Sequence, residues 1–369
     1  MKQDYTLYGW QASYFAGKTR GYLNYKGVDY INKEINIFDF LLTIPKNTGR
    51  KAMPAIKCKD GKWLCDTPLI MEEMEKRHPQ PSIEIHTPVQ RFVAELFQNW
   101  MDDVGIPIAL HTRWSYPENY EKVNREEGGK NLLPFMPRLI RNKVSDKAFS
   151  DAMTEKLPNM GAMPEQTPLL EEWTSNILNI LENHFSQYDY VLGDRPTVAD
   201  YALLGLMQGH LNRDPWPKRE WIDPRPNLQK WVEKTHRGDA ANGELLADDK
   251  IPDTLIPIVK IIFDEYLPLM YQTIDEIKLE IKNSSLKSGD ELPRTTERLK
   301  FKMADSQFKR ASFTYSVWRM QRLQKIVSTF SKDEQQHLNN WLKEQDQESF
   351  LNLDFGPKLK RDGLSAALS

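Results

Sequence analysis

The residues whose types and spacing could do chemistry are gathered between Ala52 and Thr67, where Met53-Pro54, Cys58, Asp60-Gly61, Cys65 and Asp66-Thr67 follow one another. Residues 55–59 alternate apolar and polar, Asp60-Gly61 is a tight-turn signal, and 62–65 resumes an extended pattern, so the stretch predicts an antiparallel hairpin. Asp66 and Thr67 then cap a helix through Leu69, Ile70, Met74 and Lys76, with Glu72, Glu73 and Glu75 crowded toward its front end, where the macrodipole favours negative charge. A carboxylate and a hydroxyl beside the free amides of a helix start can receive a small peptide-like ligand. A pair of hydroxyls, Ser13 and Tyr14, falls where a strand gives way to a helix, and a serine there is an N-cap by type.

Other chemistries find less support. The two cysteines, Cys58 and Cys65, fall on opposite strands of the hairpin and outside any C-x-x-C, which points to a reducing compartment rather than a disulfide framework. The seven histidines are scattered singly, so no metal site is expected. No nucleophile-elbow pattern supports serine hydrolysis.

The elements that must position these residues begin with a strand at 5–8, a helix at 15–26 closed by Gly27, and a strand at 28–31. Strand, helix, strand implies a right-handed crossover between parallel strands. An irregular helix within 34–50, the hairpin and the capped helix complete a mixed sheet with helices on both faces. After the break at His78-Pro79-Gln80-Pro81 the pattern turns helical. Phe92, Val93, Leu96, Phe97, Trp100, Met101 and Val104 form an apolar stripe that Gly105 and Pro107 are expected to stop, with helix resuming through His111 and Trp114. Short helices are expected at 134–142 and 146–156, and longer ones at 169–185, 201–207 and 227–236. Thr197, three residues before Asp200, has capping-box spacing and launches the helix at 201–207. A boundary falls after Arg237; helices at 251–282, 313–330 and 334–344 form an extension, and the tail after Pro357 is expected to be mobile.

At 369 residues the chain is long enough for at least two domains, and 50 basic against 52 acidic residues leave a formal net charge of −2. That balance recruits neither nucleic acid nor an anionic membrane. The polar start Met1-Lys2-Gln3-Asp4-Tyr5 and the lack of any run near the ~20 apolar residues of a membrane span lead to a cytoplasmic expectation.

The first 235 or so positions resemble a cytosolic glutathione transferase. The residues that carry the likeness are Leu7 to Phe15 with Lys18-Thr19-Arg20 and Lys26-Gly27-Val28-Asp29-Tyr30; Met53-Pro54 with Asp60-Gly61 and Leu64-Cys65-Asp66-Thr67; and Thr197-Val198-Ala199-Asp200. The resemblance implies an α/β thioredoxin-like N-terminal domain (1–80), an all-α C-terminal domain (89–237) and, beyond the family's common length, an additional helical extension (251–356). It implies glutathione as co-substrate, no metal, a homodimer, and a detoxifying transfer of the thiolate to a small hydrophobic electrophile or a peroxide. Ser13 would hold the sulfur as thiolate, with Tyr14 as the rival hydroxyl where many members have proline. Met53 and a cis Pro54 would meet the cysteinyl part, Asp66 the α-ammonium and Thr67 the carboxylate of the γ-glutamyl end, and Arg50, Lys51 or Lys46 the glycyl carboxylate. Trp10, Trp100, His111, Arg113, Trp114 and Tyr116 would line the second-substrate pocket. The alternative is a non-catalytic binding or assembly module that works through the extension, in which residues 318–322 (Trp-Arg-Met-Gln-Arg) would dock a partner or cover the first domain; an extra packed helix is the plainer reading of that stretch.

Overall fold

The computed structural model describes residues 4–241, 243–362 and 365–369, so the first three residues of the expected N-terminal domain lie outside it. Strand β1 (Tyr5–Tyr8), helix α1 (Tyr14–Tyr25), β2 (Tyr30–Lys33), α2 (Ile44–Thr48), β3 (Ala55–Cys58), β4 (Trp63–Cys65) and α3 (Thr67–Arg77) form the first unit. The sheet runs β2-β1-β3-β4, with β1 parallel to β2 and antiparallel to β3. Tyr8 pairs with Ala55, so the loops 9–13 and 53–54 leave the sheet at the same end. The Met53–Pro54 peptide bond is cis, as is Gln80–Pro81.

Helix α4 (Pro88–Trp114) is the axis of the second unit. It runs for 27 residues and passes through Gly105 and Pro107, where the sequence predicted a stop. Proline removes one helical donor, but Val104, Ile108 and Pro107 itself are buried, and that packing outweighs the propensity loss. Residues 117–154 form a string of short helical turns, followed by α5 (Thr167–Phe185), α6 (Val198–Leu206) and α7 (Pro226–Arg237). Thr197 caps α6 as its spacing predicted: the Asp200 carboxylate accepts from Thr197 N–H at 2.8 Å, from Val191 N–H at 2.9 Å and from Trp231 Nε1–H at 3.3 Å.

The two units are keyed together at Tyr14, whose hydroxyl donates to the Met101 carbonyl at 3.0 Å. Three glycines of the helical unit make room for its ring and backbone. A Cβ at Gly105 would lie 2.5 Å from the hydroxyl oxygen, one at Gly205 2.7 Å from the ring, and one at Gly209 3.0 Å from the Tyr14 Cα.

The extension departs from the all-helical expectation. It contains α8 (Leu267–Asn283), α9 (Thr314–Ser328) and α10 (Lys332–Glu344), but also the hairpin β5 (Thr295–Met303) with β6 (Ser306–Phe313). The tail expected to be mobile folds into a second hairpin, β7 (Leu359–Asp362) with β8 (Ser365–Leu368), in which Ala366 and Ala367 are fully buried. Helix α9 lies against α4, where the Arg319 carbonyl accepts from Asn99 Nδ2 at 3.3 Å, and Trp341 and Phe350 pack on Phe92. The 318–322 stretch is thus engaged within the chain rather than presented to a partner. Arg319 meets Asp102 at 2.8 Å, and Arg322 pairs with Glu72 of α3.

Removing the Asp200 carboxylate strands two backbone donors and one indole donor in a dry core, each worth about 1–3 kcal/mol when left unpaired. Asp200→Ala is expected to lower the unfolding free energy by at least about 3 kcal/mol in a urea titration; a loss below about 1 kcal/mol would contradict this account of the cap.

Candidate functional site

The start of α3 is an unusual piece of backbone. Asp66 sits at φ 80°, ψ 127°, a region that a residue with a Cβ occupies at a cost of order 1–3 kcal/mol. It does not cap its helix, since the side chain accepts no bond from the first turn. Its carboxylate points instead toward the extension, where Arg361 of β7 forms an ion pair with it and the Tyr315 hydroxyl of α9 stands 3.4 Å from Oδ2. Thr67 is 1% exposed, and its hydroxyl has no hydrogen-bond partner among the described residues.

Asp66 and Thr67 open onto a cavity of about 210 Å³ that Met53, Pro54 and Phe15 line from the first unit, Asp102 and Ile106 from α4, and Arg294, Phe313, Tyr315 and Arg319 from the extension. Three units of the chain therefore meet around one space. Beneath it lies a buried charge cluster in which Asp102 accepts from Lys18 Nζ at 2.8 Å and from Arg319 at 2.8 Å. Burial pulls the Lys18 ammonium down from the usual lysine range and Asp102 pushes back; burial opposes the Arg319 charge too, but Asp102, Tyr315 and Tyr266 outweigh it and the net direction is up. The other Asp102 oxygen, Oδ1, has no partner among the described residues. Burial, then the Asp66 charge, raises the neighbouring Cys65 thiol, which argues against a nucleophilic cysteine here.

Of the residues singled out from the sequence, Met53, Pro54, Asp66 and Thr67 come together at the cavity. Ser13 is the N-cap of α1 and half-buried; its Oγ accepts from Ala16 N–H at 3.3 Å. It does not line the cavity, although its loop leaves the sheet at the same end as Met53-Pro54. Tyr14 is corrected: burial, then Asp102, holds its phenol well above the usual range, and its hydroxyl is committed to the Met101 carbonyl, so it cannot serve as a rival donor. Arg50 is half-buried, Lys51 and Lys46 are exposed, and none of the three lines the cavity. Trp10 packs beside Met53 and Trp63 around a small satellite core, with Nε1 donating to the Ile35 carbonyl at 2.7 Å. His111 is buried between Ser115 and Glu171, and Trp114 stacks edge-on with Tyr120, so neither reaches the cavity. Arg113 ties the Ala12 carbonyl (2.6 Å) to Asp214, a positioning rather than a lining role.

Sequence reasoning missed Phe15, Asp102, Phe313, Tyr315 and Arg361 as site residues and named Arg319 only within the 318–322 stretch of the extension. Only Asp102 carried a signal, because two consecutive carboxylates inside an apolar helical stripe demand buried cations. Among the described residues no group of His, Cys, Asp and Glu could hold a metal ion, and no helix is long and apolar enough to cross a membrane.

Residues 7–82 match the model of the glutathione S-transferase N-terminal domain, and residues 158–237 that of the glutathione S-transferase C-terminal domain. Glutathione S-transferase stcT of Emericella nidulans is 32% identical over 79 residues, which cover 20% of this chain and 36% of that protein. The matched segment thus spans little more than a third of the curated relative. Among solved structures, glutathione transferase GSTFuA3 from Phanerochaete chrysosporium is similar at 17% identity and a TM-score of 0.45, over 66% of this chain and 100% of its own. A glutathione S-transferase from Methylobacterium radiotolerans, in complex with glutathione sulfonate, is similar at 18% identity and a TM-score of 0.38, over 66% of this chain and 98% of its own.

The Thr67 hydroxyl makes no hydrogen bond among the described residues, so its removal is expected to forfeit nothing in the folded chain. Thr67→Val is expected to be neutral or stabilising by up to about 1 kcal/mol in chemical denaturation, and a loss beyond about 1 kcal/mol would show that the hydroxyl has a structural partner.

Proposed function

This chain carries the N- and C-terminal domains of the glutathione transferase superfamily, and we propose that it binds glutathione at the start of α3 and activates the thiol with Ser13 for attack on an electrophilic small molecule or a peroxide. The observation that carries the reading is the convergence of Met53, Pro54, Asp66 and Thr67 on one cavity at the N-terminus of an 11-residue helix. A ligand carboxylate there gains the orphan amides, the positive end of the macrodipole and the waiting Thr67 hydroxyl. At about 210 Å³ the space is smaller than the ~300 Å³ at which drug-sized pockets usually begin, so it suits the γ-glutamyl end rather than the whole tripeptide. The cysteinyl part then runs along Met53, whose backbone has no backbone hydrogen-bond partner among the described residues, toward the loop that holds Ser13.

Capping and catalysis are compatible roles for Ser13. Its oxygen accepts from Ala16 N–H, which leaves the hydroxyl proton to donate to a thiolate, and the α1 N-terminus favours the same negative charge. An unperturbed thiol ionises near ~8.5, so both effects enlarge the reactive fraction at neutral pH. The reading includes a detoxifying role in the cytoplasm. A homodimer would have to form on a face other than the α4 surface that α9 and α10 cover.

Ser13→Ala is expected to lower kcat/KM for conjugation of 1-chloro-2,4-dinitrobenzene by about 100-fold, the order seen when one preorganised donor to a developing anion is removed. Loss of the cap should reduce stability by only about 1 kcal/mol, and calorimetric glutathione binding should change little. Full turnover in the variant would overturn the assignment.

A further inference from the structure

The terminal hairpin is docked as a built element. Leu292 N–H donates to the Ala366 carbonyl at 2.8 Å and Leu368 N–H to the Asp290 carbonyl at 3.0 Å, which fixes β8 beside residues 289–292. The Gln321 side chain of α9 accepts from Leu359 N–H at 3.0 Å and donates to the Phe355 and Pro357 carbonyls at 2.9 and 2.8 Å. This docking delivers the Arg361 guanidinium to Asp66, and both side chains are largely buried, at 11% and 15% exposure. Tyr315 adds a second donor to the same carboxylate; burial, then Asp66 itself, pushes its phenol up to about 12, so it remains protonated. Asp66, the carboxylate best placed to take a ligand's ammonium, thus already has a cation and a hydroxyl from the extension. The remaining charged groups that line the cavity are Arg294 and Arg319, with Asp102 neutralised by Lys18 and Arg319. A carboxylate entering at Thr67 meets a positive field, whereas an ammonium meets Arg361 in its place.

We propose that Arg361 is a specificity-determining residue, the internal counter-ion of Asp66, so that with the hairpin seated the site selects thiol peptides whose first residue brings a carboxylate but no free ammonium. Glutathione itself binds in competition with Arg361. The inference rests on the thiol-peptide reading of the cavity and names the ligand class that reading leaves open.

Titration calorimetry with the full chain, using glutathione and its desamino analogue glutaryl-cysteinyl-glycine, tests this directly. The wild type is expected to bind the analogue at least about tenfold more tightly. Arg361→Met keeps the apolar stem and frees Asp66, and is expected to reverse the order, with glutathione gaining about tenfold; Arg361→Lys keeps the wild-type order. A wild-type preference for glutathione, or a ratio that Arg361→Met moves by less than about twofold, overturns the proposal while leaving the glutathione reading intact. Binding of neither ligand to any of the three proteins removes the thiol-peptide reading, and this inference with it. Hydrogen exchange on the wild type needs no variant: saturating glutathione should speed amide exchange in β7 and β8 at least about fivefold and the analogue should not, and equal exchange with both would also overturn it.

Discussion

A carboxylate pair in the middle of the longest helix governs how this chain assembles. Asp102 and Asp103 of α4 are almost completely buried, and a buried charge is tolerated only when paired and hydrogen-bonded. Each surrounding unit supplies what is missing. The first domain contributes Lys18 to Asp102; the extension contributes Arg319 to Asp102, and Arg310 and Ser316, each at 2.5 Å, to Asp103. Removing a single partner from such a cluster leaves an uncompensated charge, a penalty of roughly 3–5 kcal/mol. The extension is therefore coupled electrostatically to the interior of the molecule, and the cavity above Asp102 inherits its walls from that coupling.

Local signals in the sequence were legible because the physics behind them is local. The hairpin at Asp60-Gly61, the parallel pairing of β1 with β2 across the intervening helix and the Thr197–Asp200 cap each follow from residues near one another in sequence, and the structure contains all three. The α4 stop failed because Pro107 was weighed by propensity, whereas its burial among Val104 and Ile108 decides the outcome. The β5–β6 hairpin was missed although Phe301 and Met303 alternate with Lys300 and Lys302 ahead of the Ala304-Asp305 turn. That period-two pattern was present but lay in a region read as breaks between helices. Part of the candidate site was legible in the same sense: Asp66 and Thr67 announce themselves by type and position. Arg361 and Tyr315 are distant in sequence and have no local pattern, so only the packed structure brings them to Asp66.

The extension also changes what the surface offers. Phe92 and its neighbours on α4 would present an apolar stripe if the chain ended after α7; instead Trp341 and Phe350 lie on Phe92, and Asn99 donates to the Arg319 carbonyl. A second chain is not needed to bury that stripe, and the hydrophobic gain of covering it, about 25 cal/mol per Å² of apolar surface, is realised within the chain.

The key formed by Tyr14 has a mechanical consequence. Its side chain is held by Gly105 and Gly205 of the helical unit and its backbone lies against Gly209, while that backbone begins α1 of the first unit immediately after Ser13. The serine is in effect bolted to the helical domain through its neighbour, and Arg113 clamps the preceding Ala12 to the same frame. A hinge between the two domains would have to pull a tyrosine out of a glycine socket, so the pair behaves as one rigid chassis. With the Asp102 and Asp103 pairs also holding α9 and β6 to α4, an opening of the cavity that spares all of these contacts falls to the terminal hairpin that carries Arg361.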